Sequence, residues 1–185
     1  WRFQWQEDEG ITVYSDTDWA GCPRTRKSTS GGCIMTGRHL LKSWASTQSS
    51  VALSSGEAEF YGVVKASGYG MAYQALLKDF GMEKPLTVYT DSTAAMGIAS
   101  RQGLGKLRHL ETTTLWVQQA VRCKRFTLRK VLGDENPADV FTKHIVGSEK
   151  LGALMRLYDC KYLSGRAESA PQLRTEQRGK SELRD

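Results

Sequence analysis

The longest helical pattern in the chain lies between two strand-like runs that end in nearly the same four residues. Residues 54–79 carry apolar side chains at helical spacing, with serines available to cap the first turn. An earlier run ends in Val13-Tyr-Ser-Asp16, and a later run ends in Val88-Tyr-Thr-Asp91. Parallel neighbouring strands need a long, usually helical, crossover between them. The pattern therefore predicts an α/β fold in which both strands bring an aspartate to the same edge of the sheet.

The remaining elements predict a five-stranded mixed sheet. Runs rich in β-branched and aromatic residues predict strands at 11–15, 32–36, 40–44, 86–90 and 126–131. Helical spacing and capping residues predict helices at 54–79, 92–100, 110–124 and from 136 onward. Four glycines inside the long helix, at 56, 62, 68 and 70, suggest that it packs closely on the sheet. We expect three antiparallel strands followed by parallel strands, with helices on the faces of the sheet.

Length and composition are those of one globular domain with additional sequence. The chain has 185 residues, of which 39% are hydrophobic, and this is enough to bury a substantial core. It begins at Trp1 rather than Met, which suggests a piece of a longer polypeptide. We expect an N-terminal linker, a globular domain, a C-terminal helical extension and a disordered tail at 1–10, 11–145, 146–163 and 164–185. No apolar run approaches the roughly 18 residues that span a bilayer, and the start is not a secretion signal, so we expect no membrane partner.

Four acidic residues are candidates for one metal site. Asp16 and Asp91 end the first and fourth strands, Glu59 lies about one turn into the long helix, and Asp139 opens the last helix. Carboxylates that crowd together repel one another unless a cation lies between them. Their oxygens are the ligands that Mg²⁺ and Mn²⁺ prefer. Each residue also has an ordinary explanation as a turn, a cap or a solvated helix position, so spacing alone leaves both interpretations open.

Two neighbouring acids leave the choice of ligands open. Asp18 lies two residues beyond Asp16 and shares its face if the first strand continues. Glu57 is about 200° around the helix from Glu59, so only one of them can face the site. We favour Glu59 because Glu57 is suited to support the first turn of the helix.

Other catalytic or metal-binding patterns are missing from the sequence. The four cysteines are far apart, and neither they nor the three histidines have the spacing of a zinc site. There is no nucleophile elbow around a serine and no glycine-rich phosphate loop before a helix. These observations argue against zinc, serine-hydrolase and nucleotide-loop chemistry.

The basic residues suggest a polyanionic partner. The net charge is +6, which suits nucleic acid without requiring it. Two groups fall in predicted loops, where they can grip a phosphate backbone: Arg24, Arg26 and Lys27 in the first, and Arg101, Lys106 and Arg108 in the second. A generic solvated surface is the alternative interpretation of either group.

A series of short motifs runs from residue 14 to residue 143. The first half contains Tyr14-Ser-Asp-Thr-Asp-Trp-Ala-Gly21, Arg26-Lys-Ser-Thr-Ser-Gly-Gly32, Ser43-Trp-Ala-Ser-Thr-Gln48 and Val51-Ala-Leu-Ser-Ser-Gly-Glu-Ala-Glu-Phe60. The second half contains Tyr89-Thr-Asp-Ser92, the Arg108-His-Leu-Glu segment and Asn136-Pro-Ala-Asp-Val-Phe-Thr-Lys143. In this order, over roughly residues 11–145, they resemble the ribonuclease H domain of copia-type LTR retrotransposon Pol polyproteins.

The resemblance implies a ribonuclease H-like fold and cleavage of the RNA strand of RNA–DNA hybrids during reverse transcription. The metal-binding acids of that family fall on Asp16, Glu59, Asp91 and Asp139. They would hold two Mg²⁺ ions, for which Mn²⁺ can substitute. Asp16 would bridge both ions, with Glu59 and Asp91 on the leaving-group side and Asp139 on the side of the attacking water.

The resemblance also implies partners and a place in the cell. We expect the partners to be an RNA–DNA hybrid and the reverse transcriptase domain of the same polyprotein. The expected location is the cytoplasm, inside a virus-like particle, or the nucleus. Cellular relatives place a histidine in the loop before the fourth acid, whereas residues 131–136 contain none. The alternative function is a non-catalytic or domesticated remnant that still binds nucleic acid.

Overall fold

Five strands form one mixed sheet at the centre of the molecule. The computed structural model describes residues 3–7, 10–105, 110, 112–160 and 165. The strands are β1 (Ile11–Asp18), β2 (Thr29–Thr36), β3 (His39–Thr47), β4 (Leu86–Thr90) and β5 (Thr127–Lys130). Their order across the sheet is β3-β2-β1-β4-β5. The first three strands are antiparallel, whereas β1 pairs in parallel with β4, and β4 with β5. The predicted α/β, ribonuclease H-like architecture is confirmed.

The helices connect and cover the strands. They are α1 (Ser55–Asp79), α2 (Thr93–Ser100), α3 (Trp116–Arg122) and α4 (Ser148–Leu157), with short 3₁₀ helices at Thr112–Thr114, Gly133–Glu135 and Pro137–Phe141. We call the last of these the Asp139 turn. Among the described residues, no helix is both long enough and apolar enough to cross a membrane.

Helix α1 covers one face of the sheet and forms the main core with it. Its Phe60, Val63 and Ala66 are fully buried in one cluster with Val13 of β1 and Val88 of β4. Because successive side chains of a strand point to opposite faces, Val13 faces α1 and its neighbours face the other side. The crossover helix thus fixes the parallel pair β1–β4 from one face.

Two glycines bring α1 unusually close to the strands. A Cβ atom at Gly62 would lie 2.6 Å from Thr17 Oγ1, and one at Gly70 would lie 2.8 Å from Leu86 Cδ1. At Gly68, by contrast, a Cβ atom would meet nothing within 4 Å. The predicted close packing of a glycine-containing helix is confirmed at two of these positions.

The opposite face carries a second, smaller core. Cys33 and Met35 of β2 are buried in one cluster with Tyr158, which follows α4, and Phe141 of the Asp139 turn packs against it. The Tyr158 hydroxyl donates a hydrogen bond to the carbonyl oxygen of Pro137. The segment after residue 145 therefore supports the turn that carries the fourth predicted acid.

Several elements differ in length from the sequence-based expectation. Strand β1 continues to Asp18 instead of stopping at 15, because residues 16–18 still pair with β2. The helix predicted over 110–124 is replaced by the 3₁₀ helix Thr112–Thr114 and the shorter α3. The helix predicted after 136 is a five-residue 3₁₀ helix. Lys106, Arg108 and nearly all of the predicted tail at 164–185 lie outside the described residues.

Candidate metal centre

The parallel pair β1–β4 places Asp16 and Asp91 beside each other. The register pairs Ser15 with Thr90, and this is the last pair between the two strands. Asp16 and Asp91 each follow that pair by one residue, at the carboxyl end of the parallel pair. The preceding tyrosines, Tyr14 and Tyr89, are also in register, and their rings stack with centroids 5.0 Å apart. The similar sequences Tyr-Ser-Asp and Tyr-Thr-Asp therefore mark the ends of two neighbouring parallel strands.

The first turn of α1 separates the roles of its two glutamates. Ser54 Oγ accepts a hydrogen bond from the Glu57 N–H at 3.2 Å, and Glu57 Oε2 accepts one from the Leu53 N–H at 2.9 Å. This is a reciprocal N-terminal cap of the capping-box kind. Glu59, two residues later, lies on another side of the helix and approaches Asp16 and Asp91. Among these two glutamates, Glu59 is thus the one that lies close to Asp16 and Asp91.

Three carboxylates come together at this edge of the sheet. Asp16, Glu59 and Asp91 each offer an oxygen, and these three oxygens all lie within 4.8 Å of one another. Glu59 Oε2 is buried and has no hydrogen-bond partner in the described part of the chain. Buried polar atoms of folded proteins are nearly always paired. An unpaired oxygen on a carboxylate that lies close to two others fits a site that receives a cation.

Burial and repulsion between negative charges raise the pKa values of two of these carboxylates, Glu59 and Asp91. Burial, together with the negative charges of Asp16 and Asp91, raises the pKa of Glu59 from 4.5 to about 8. Burial and the charge of Asp16 also raise the pKa of Asp91. Both shifts mean that the site resists holding three negative charges at once. A divalent cation would reverse this penalty, so the donor set suits a hard ion such as Mg²⁺ or Mn²⁺.

Asp139 is linked to Asp16 by the side chain of Lys143, which contacts both carboxylates. It is not a member of the three-carboxylate group found among the described residues. Lys143 Nζ lies 2.7 Å from Asp139 Oδ1 and 3.2 Å from Asp16 Oδ1, and so links the two carboxylates. The Thr142 hydroxyl donates to the other oxygen of Asp16, Oδ2. The structure thus joins Asp139 to the site by a salt bridge and not by a shared ligand position.

The lysine is held strongly in its charged form. Burial lowers the pKa of Lys143, but the hydrogen bond to Asp139 and the negative charge of Asp16 outweigh burial and raise it overall. A second lysine, Lys150 of α4, lies 2.9 Å from Asp134 Oδ1 and 3.8 Å from Asp139 Oδ2. The Asp139 side of the site therefore carries its own positive charge.

Lys143 and Thr142 belong to the site but were not among the residues predicted for it. The available signal was the four-residue spacing from Asp139 to Lys143, which allows a salt bridge on one helical turn. The contact with Asp16 had no such signal, because Asp16 and Lys143 are 127 positions apart.

The remaining predicted residues lie around this edge. Asp18 is directed to the loop after β1, where a Cβ atom at Gly21 would overlap its carboxylate, and it is not in the three-carboxylate group of the described chain. Arg24 and Arg26 are exposed and Lys27 is half-exposed on the loop between β1 and β2. That loop begins at the carboxyl end of β1, the edge that carries Asp16. The first basic group is thus on the same side of the sheet as the acids.

Comparisons with known proteins find retrovirus-related Pol polyproteins of plant transposons among the relatives. No protein-family model matches the chain. The chain is 27% identical over 138 residues to the retrovirus-related Pol polyprotein from transposon TNT 1-94 of Nicotiana tabacum, which covers 74% of this chain and 10% of that protein. It is 28% identical over 137 residues to the Pol polyprotein from transposon RE1 of Arabidopsis thaliana, which covers 72% and 9%. The chain spans about a tenth of the length of these relatives.

Solved structures give a weaker likeness. The N-terminal RNase H domain of a Mycobacterium tuberculosis protein, solved as a fusion with maltose-binding protein, superposes with a TM-score of 0.49 at 17% identity, covering 79% of this chain and 96% of that one. LC11-RNase H1 in complex with an RNA/DNA hybrid superposes with a TM-score of 0.45 at 13% identity, covering 71% and 92%.

Proposed function

We propose that this relative of plant-transposon Pol polyproteins is a metal-dependent ribonuclease that hydrolyses the RNA strand of RNA–DNA hybrids. The observation that carries the proposal is that Asp16, Glu59 and Asp91 each place an oxygen within 4.8 Å of the others, while Glu59 Oε2 has no hydrogen-bond partner among the described residues. The β1–β4 register and the capped helix α1, which connects these strands, together bring the three carboxylates close to one another. The motifs that resemble copia-type ribonuclease H domains support RNA–DNA hybrids as the substrate class.

The three carboxylates would hold a divalent ion, and Asp139 would complete the site for a second. When bound, such ions supply charge stabilisation at the phosphate and make a water molecule a better nucleophile. The contribution of the chain is to keep the ligands together before the ion arrives. It does so through the β1–β4 register and through the Thr142 hydroxyl, which orients Asp16.

The basic loop after β1 would bind the nucleic-acid backbone. Arg24, Arg26 and Lys27 lie on the edge of the sheet that carries Asp16, so a strand that presents a phosphate to the acids passes near them. Binding through such contacts weakens as salt concentration rises. Selection of RNA over DNA would use the 2′-hydroxyl near the cleaved phosphate.

The relatives suggest where the activity is used. Both are Pol polyproteins of which this chain matches about a tenth, so the nuclease would act as one part of a larger protein. We infer that its neighbour is the reverse transcriptase part and that it degrades the RNA template after copying. The narrower assignment to the copia type belongs to the same proposal.

A non-catalytic hybrid-binding module is the second candidate. One observation favours it: Lys143 already forms salt bridges with Asp16 and Asp139, so part of their negative charge is balanced without a divalent ion. A binding module would keep the basic loop and the fold, and would need no metal. The two candidates differ in whether the chain cuts RNA.

Cleavage of an end-labelled RNA–DNA hybrid decides between them. We expect cutting with Mg²⁺ or Mn²⁺, no cutting with EDTA, and no cutting of double-stranded RNA of the same sequence. Asp91→Asn should reduce the rate at least about a hundredfold, while the exposed Asp79→Asn at the end of α1 serves as the matched control. Equal cleavage by Asp91→Asn and wild type would refute the metal-site assignment. Hybrid binding without cleavage under every condition would establish the binding module.

A further inference from the structure

The position of Lys143 between two carboxylates has a consequence for how the site fills with metal. We propose that the Lys143 ammonium is an internal counter-ion that occupies the Asp16–Asp139 side of the centre, so that divalent ions enter in order. Asp16, Glu59 and Asp91 would hold the first ion, and Asp139 would become available to a second only after the Lys143 ammonium moves away. This inference rests on the metal centre of the proposed function.

The hydrogen bonds divide the site into a closed side and an open side. Asp16 Oδ1 accepts from Lys143 Nζ at 3.2 Å, and Asp16 Oδ2 accepts from Thr142. Asp139 Oδ1 accepts from Lys143 Nζ at 2.7 Å. Glu59 Oε2, on the other side, is buried and has no partner within the described ranges. An incoming ion therefore finds an unused oxygen at Glu59 and a competing cation at Asp139.

The Lys143 side chain is much more exposed than the two carboxylates that it contacts. The side chains of Asp16 and Asp139 are 1% and 3% exposed, whereas that of Lys143 is 44% exposed. A long aliphatic stem with its charged end in a site and much of its length in solvent can swing outward at little steric cost. Its charge cannot stay beside a divalent ion on the same two oxygens without strong repulsion. Release of the ammonium and entry of the second ion are thus coupled events.

The test replaces the charge and keeps the length of the stem. Lys143→Met removes the ammonium, Lys143→Arg retains a positive charge, and Lys78→Met, at the exposed end of α1, controls for the loss of one positive charge elsewhere. Mn²⁺ binding is measured by calorimetry, and thermal unfolding is measured in EDTA and in Mn²⁺. Neither readout depends on cleavage.

Two opposite changes are expected for Lys143→Met. In EDTA its midpoint of unfolding should fall by roughly 5 °C, because two buried carboxylates lose their partner. Its weaker Mn²⁺ site should bind about tenfold more tightly than that of wild type, because the competing charge is gone. Lys143→Arg and Lys78→Met should bind Mn²⁺ as wild type does. Simple structural damage would weaken both properties together.

Mn²⁺ binding separates failure of the counter-ion inference from failure of the metal centre. If wild type and Lys143→Met bind Mn²⁺ with the same affinity and stoichiometry, the counter-ion inference is wrong while the metal centre stands. If neither protein binds Mn²⁺ at all, the metal centre of the proposed function is wrong, and the inference is overturned with it.

Discussion

Asn136 Nδ2 donates a hydrogen bond of 3.0 Å to the carbonyl oxygen of Ser15, the residue before Asp16. Asn136 is completely buried, and its Oδ1 accepts the N–H of Ala138 at 3.1 Å. One side chain therefore starts the Asp139 turn and fastens that turn to the end of β1. The Asn136 amide therefore joins the segments that carry Asp16 and Asp139, as Lys143 also does.

Removing this amide should loosen the turn that carries Asp139. Asn136→Ala removes the side-chain partner of a buried carbonyl and of a buried N–H, so we expect the free energy of unfolding to fall by about 1–3 kcal/mol. Ser54→Ala, which removes the half-exposed cap of α1, should lower it by about 1 kcal/mol. Urea unfolding of both variants gives the comparison. An Asn136→Ala variant as stable as wild type would show that the tie to Ser15 is unimportant.

The glycines of α1 provide a second prediction, with its control in the same helix. A Cβ atom at Gly62 would lie 2.6 Å from Thr17 Oγ1 and 2.9 Å from Ser15 Oγ, on either side of Asp16, whereas Gly68 faces open space. Gly68→Ala should therefore raise the free energy of unfolding by about 0.5–1 kcal/mol, the ordinary gain of alanine in a helix. Gly62→Ala should lower it by about 1–3 kcal/mol because the helix must move away from β1.

The same pair tests whether α1 positions the site. Gly62→Ala should also weaken Mn²⁺ binding, since Glu59 moves with the helix, and Gly68→Ala should leave Mn²⁺ binding unchanged. Stability is measured in urea and metal affinity by calorimetry. Identical behaviour of the two alanine variants would contradict the close approach of α1 to β1.

Helix α4 supplies a third prediction. Leu154 is 1% exposed, whereas Leu157, one turn later, is 41% exposed. Leu154→Ala should lower the free energy of unfolding by about 2–5 kcal/mol through the cavity it creates. Leu157→Ala should change it by less than about 0.5 kcal/mol. If urea unfolding shows both variants to be as stable as wild type, α4 is not an integral part of the domain.

Much of the site could be predicted because it depends on local repetition. Asp16 and Asp91 follow similar residues on two neighbouring parallel strands, and their in-register pairing turns a repeated motif into a shared location. That only one of Glu57 and Glu59 can face the site followed from helical geometry, since positions two apart point in very different directions. Both inferences used only the periods of regular secondary structure.

The parts that could not be predicted depend on irregular segments. The end of β1 at Asp18 was missed because polar residues that still pair with β2 show no alternating apolar pattern. The link from Lys143 to Asp16 depends on the path of the Asp139 turn, which no local rule sets. The support that Tyr158 gives to Pro137 joins two segments with unrelated sequence patterns.

The raised proton affinity of Glu59 leads to a pH dependence with a defined sign. Its pKa is about 8 in the folded chain against an ordinary value of 4.5, so between these pH values the folded state holds a proton that the unfolded state has lost. The contribution of Glu59 to stability without metal is therefore fully present at low pH and is lost as pH rises toward about 8. The raised pKa of Asp91 acts in the same direction.

Metal binding should show the opposite trend, because the ion must replace that proton. Between pH 6 and pH 8 we expect Mn²⁺ affinity to rise by up to about tenfold per pH unit and then to level off. Glu59→Gln should flatten the pH dependence of unfolding in EDTA and weaken Mn²⁺ binding at every pH. Glu57→Gln keeps an acceptor for the Leu53 N–H and should retain both wild-type trends. Thermal unfolding and calorimetry across this range provide the measurement, and an unchanged pH slope in Glu59→Gln would show that another group carries the proton.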